Sequence, residues 1–138
     1  MPKIISRSHV LGLSLTLALM SSATVAVAAS GAAEVYTATN HAVLAVHATD
    51  IKMVHSHLHH VVNCLVGPGG AGFDANEMNP CAGGKGAIND WVGASPERVK
   101  FMQTAVAQSL KGINQSNLAK AQSLALDALH SLESVRSH

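Results

Sequence analysis

The chain has 138 residues, 48% of them hydrophobic, 12% charged and only 3% aromatic. A formal charge of +1 with nine neutral histidines leaves no standing basic patch, which argues against a nucleic-acid or anionic-membrane binder. The length suits one domain, and Ala and Leu in place of large rings point to helices that approach one another closely.

Residues 1–29 read as a cleaved export signal. Lys3 and Arg7 make a basic start, 10–20 is apolar, and 21–29 is a run of small residues suited to cleavage. The apolar part is short for a membrane span, and small residues rather than charges follow it. A periplasmic or secreted protein is therefore expected, with one helical domain over 30–138 and no membrane span in the mature form.

The first helix is expected over 34–65, a stretch without Gly or Pro. At about 100° per residue, Val43, Leu44, Ile51, Val54, Leu58, Val61, Val62 and Leu65 share one broad face. Its valines lower helix propensity, so a strand over 58–66 competes, but the helical period persists throughout. Gly67 followed by Pro68 is a helix stop. Residues 67–94 are then expected as a long Gly-rich loop, and a loop of that length needs a tie. Cys64 and Cys81 are the only two cysteines, and in an exported chain they are expected to form the disulfide that supplies it. Phe73 and Trp91 would pin the loop onto the helices.

Ser95, Pro96 and Glu97 give a capping residue, a first-position proline and an early acid, and so start a second helix. It ends near Gly112, with Val99, Met102, Val106 and Leu110 as its inner stripe. A third helix is expected over 117–135, facing inward with Leu118, Ala121, Ala125, Leu129 and Leu132. The fold class is all-α: a small antiparallel bundle of three helices, completed to four by a kink or by a dimer partner.

Six of the nine histidines fall in the first helix, as His41, His47, His55, His57, His59 and His60. Imidazole is the commonest side-chain ligand for transition metals. Met53, His57, His60 and Cys64, at spacings of four, three and four, form one stripe suited to copper or zinc if Cys64 is reduced. His55 and His59 form an H-x-x-x-H pair on the flank near His41, at chelating spacing. His130, Asp74, Glu77 or a second chain could complete that pair. Because the disulfide removes Cys64, the weight falls on His55, His59 and His60. His47 lies near the middle of the apolar face, as a buried neutral residue or as an axial ligand to haem b opposite Met102 or His130. No C-x-x-C-H occurs, so covalently attached haem is excluded.

Other motifs carry less. GPGGAG at 67–72 fits G-x-G-x-x-G but has no βαβ context. Asp74, Asn76 and Glu77 begin like a calcium loop, yet Met78 stands at the fifth position and the closing Glu is missing. No nucleophile elbow is present. The sequence thus predicts a binding protein rather than an enzyme: an exported, His-rich chain that buffers, senses or delivers Cu, Ni or Zn. A b-type haem protein and an envelope interaction module tuned by pH are the alternatives, and a homodimer is compatible with each.

Overall fold

The computed structural model describes residues 30–138, so the export signal expected over 1–29 lies outside the described residues. Those residues form five helices and no strand: α1 Gly31–His47, α2 Ile51–Val66, α3 Ala87–Asp90, α4 Pro96–Ile113 and α5 Leu118–Ser137. None of the helices is long and apolar enough to cross a membrane.

The largest departure from expectation is the first helix, which is two helices. Ala48 has extended backbone, and Asp50 is an N-cap whose carboxylate accepts from the Met53 amide at 2.9 Å. An aspartate in that position satisfies one of the four amides that begin a helix, so a new helix can start there at little cost. The break resets the helical phase. On α2, Val54, Leu58, Val61, Val62 and Leu65 are buried as expected. On α1, Val43 and Leu44 are exposed, and the buried side belongs to Val35, Ala38, Ala42 and Ala45. The strand expected as a competitor over 58–66 is not adopted, because Ile51–Val66 is helix throughout.

Local signals explain the other ends. Ser95 Oγ accepts from the Arg98 amide with Pro96 at the first helical position, and Asn117 Oδ1 accepts from Lys120. Helix α1 packs on α2 and α5, and α4 packs on α2 and α5. Small residues line these contacts, with Ala38, Ala42, Ala105, Ala121, Ala125 and Ala128 all fully buried. At Gly112 an added Cβ would strike the Leu58 side chain, so the last turn of α4 comes close to α2.

The connection between α2 and α4 is tied down at several points. Cys64 and Cys81 are joined as a disulfide, with Cα atoms 5.1 Å apart. Gly67, at a φ of 66°, ends α2 against the backbone of Lys85 and Gly86, where a Cβ would collide with main chain. Trp91 packs on the core and against Gly31, and the Arg98 guanidinium lies 4.9 Å from its ring centre. Phe73 is half-buried.

Candidate metal centre

The three-residue break turns the chain back on itself. His41, six residues before the end of α1, then meets His57, six residues after the start of α2. His60, three residues beyond His57, shares its face of α2. His41 Nδ1 lies 3.2 Å from His57 Nδ1 and 3.3 Å from His60 Nδ1. One ring nitrogen from each of the three residues falls within 4.8 Å of the other two. The His41 and His60 rings meet edge to face at 4.7 Å. His60 is 7% exposed, and the other two are half-buried.

Two of these separations match the edge of a metal coordination tetrahedron. Metal–imidazole bonds of about 2.0–2.1 Å in tetrahedral geometry place neighbouring nitrogens about 3.3 Å apart. Without an ion the arrangement is frustrated. His41 Nδ1 faces two other Nδ1 atoms, and it holds either one proton or one lone pair. It can therefore make one good hydrogen bond of the two, whereas an ion accepts a lone pair from all three rings.

Electrostatics keeps the rings in their ligand form. Burial, then the charges of His60 and His57, push His41 down from 6.5 to about 4. Burial lowers His57 as well. His60 is lowered by burial and by His57, while Glu77 pulls it upward. The cluster is thus neutral near pH 7, with lone pairs available.

The remaining sequence-expected residues are placed elsewhere. His55 Nε2 donates to the Gln115 carbonyl at 2.8 Å, on the turn between α4 and α5. His59 Nδ1 stands 3.6 Å from Asp74 Oδ2. The pair His55 and His59 is therefore drawn toward two different neighbours and does not join His41. His47, expected on the inner face, is exposed at the end of α1 because the phase used to place it ends there. Met102 is fully buried in the core and His130 is exposed, so neither is set opposite His47 as an axial haem pair would be. Met53 is 46% exposed, and Cys64 is spent in the disulfide and offers no thiolate.

Sequence reasoning missed Asn63. It is fully buried, donates through Nδ2 to the carbonyls of Asp74 and Met78, and accepts from the Asp74 amide at 2.9 Å. A polar residue in an otherwise apolar run, V-V-N-C-L-V, was the signal available. Comparison with family models, curated proteins and solved structures finds no match for this chain.

Proposed function

We propose that this is a small exported metal-binding protein whose ligands are His41, His57 and His60, and whose cargo is divalent copper, nickel or zinc. The observation that carries the reading is the pair of Nδ1–Nδ1 separations, 3.2 and 3.3 Å, between residues of two different helices. In this reading α1, α2, α4 and α5 form an antiparallel four-helix bundle that holds the imidazoles in place. An all-nitrogen set without thiolate suits Cu²⁺, Ni²⁺ and Zn²⁺. Three protein ligands leave room for exchange at the ion, which fits buffering or delivery better than a purely structural role. The functional groups converge on ion ligation, and we read the protein as a binder and not an enzyme.

The test is calorimetric titration of untagged protein with Zn²⁺, Ni²⁺ and Cu²⁺. The wild type is expected to bind one ion at micromolar affinity or tighter. His41→Gln/His57→Gln should weaken binding by about a hundredfold or more, with helicity retained. His55→Gln/His59→Gln should leave the main event in place. Absence of binding in the wild type, or full binding in the His41/His57 variant, overturns the reading.

A further inference from the structure

Residues 74–78 are fastened along α2 beside the stripe that bears His60. At one end Asn63 grips the backbone at Asp74 and Met78. At the other, Ser56 Oγ donates to Glu77 Oε2 at 3.2 Å. Ser56 and Asn63 stand about two helical turns apart on α2. His60 lies between them, four residues after Ser56 and three before Asn63, on the same face. The Glu77 backbone lies at Asn63 and its carboxylate at Ser56, so its side chain runs along the stripe that bears His60. A carboxylate accepts more partners than one hydroxyl supplies.

We propose that Glu77 is the anionic ligand that completes the metal site of His41, His57 and His60, so that binding a divalent ion also locks residues 74–78 onto α2. This rests on the reading of the three histidines as a metal site. It fits the divalent cargo. Three neutral imidazoles hold Cu⁺ and divalent ions alike, but a hard carboxylate oxygen favours a borderline divalent ion such as Zn²⁺ or Ni²⁺ over soft Cu⁺. It also lowers the net charge of the loaded site from 2+ to 1+, which eases its burial beside His60. The segment is covalently anchored close by, since Cys81 is tied to Cys64, one turn beyond His60.

Co²⁺ and Zn²⁺ are the probes, with Cu⁺ presented from a chromophoric chelator as the contrast. Glu77→Gln keeps the size of the side chain and an oxygen for Ser56, and removes the charge. The variant is expected to lose about tenfold or more in Zn²⁺ and Co²⁺ affinity, to alter the visible Co²⁺ absorption, and to hold Cu⁺ within about threefold of wild type. In the wild type, Zn²⁺ should slow amide exchange over 74–78, and in the variant it should not. Equal Zn²⁺ and Co²⁺ affinity in the two proteins overturns the role of Glu77 and leaves the triad standing. A wild type that binds no metal overturns both.

Discussion

Glu34 offers the sharpest test of the packing, because it is an acid where an acid is costly. It lies in the first turn of α1, is 1% exposed, and neither carboxylate oxygen makes a hydrogen bond among the described residues. Its Oε1 abuts Gly84, and the Asp90 carboxylate approaches the same point. Burial and then the Asp90 charge push the carboxyl from 4.5 up to about 7, while the Gly86 amide pulls the other way. Between those two values the folded protein holds a proton that the unfolded chain has released. The protonated carboxyl thus supports the fold fully below pH 4.5, loses that contribution as pH rises toward about 7, and gives none above.

The gap corresponds to about 3 kcal/mol at roughly 1.36 kcal/mol per unit. Solvent screening around so small a domain reduces this to on the order of 2 kcal/mol. Glu34→Gln removes the titration, keeps the shape, and supplies an amide that can donate to Asp90. The variant is expected to exceed wild type by about 0.5 kcal/mol at pH 5 and by about 2 kcal/mol at pH 8, the latter about 8 °C in Tm. Urea melts of both proteins between pH 5 and pH 8, with chelator present, measure the difference directly. The difference is the proper quantity because the histidines act in the opposite sense in both proteins. Burial holds His41 at about 4, down from 6.5, and lowers His57 and His60, so the support these rings give is present above 6.5 and lost as pH falls toward 4. A Gln-minus-Glu difference that is flat with pH, or larger at pH 5 than at pH 8, refutes the reasoning.

Two further perturbations address the connection between α2 and α4. Cys64→Ala/Cys81→Ala opens a link of sequence separation 17 and is expected to cost about 3 kcal/mol, seen as a lower urea midpoint that dithiothreitol no longer shifts. Asn63→Ala strips the Asp74 amide and two carbonyls of their partner, and should cost about 2–3 kcal/mol. Amide exchange over 74–78 should rise with it, and unchanged exchange would show that the disulfide alone holds the segment.

Much of the helical framework was legible because it is written locally. Ser95-Pro96, Asn117 and Gly67 each mark a helix end by a mechanism that needs no distant neighbour. The paired cysteines were legible because there are only two. The break at residues 48–50 has one local signal, the capping Asp50, and the apolar period running through it hides that signal. That one hidden signal displaces the rest. On an unbroken helix His41 and His57 stand about 24 Å apart, and His47 falls on the inner face. Across the turn the same two rings touch at 3.2 Å, and His47 is left exposed at a helix end. The H-x-x-x-H pair stays apart from that cluster for a different reason. Spacing of four aligns His55 with His59, but the Gln115 carbonyl and the Asp74 carboxylate, both remote in sequence, decide where each ring goes.

The composition that made the chain look featureless is also what lets the histidines meet. Imidazole is short, and two rings on neighbouring helices bring their nitrogens to van der Waals distance only if the backbones are close. Along α1 the inward positions flanking His41 are Ala38, Ala42 and Ala45, each fully buried. Leucine at any of them would drive α1 away from α2 by the depth of a side chain and open the 3.2 and 3.3 Å separations beyond the span of one ion. The alanines contribute little apolar area each, so this closeness forgoes some hydrophobic stabilisation. The disulfide, the Asn63 clamp and the packing of Trp91 offset that loss at the other end of α2, where no histidine has to be accommodated. Stability and chemistry are thus divided between the two helices: α1 gives up bulk to bring the imidazoles together, and the last turns of α2, with Val61, Val62, Cys64 and Leu65 fully buried, hold the pair in place.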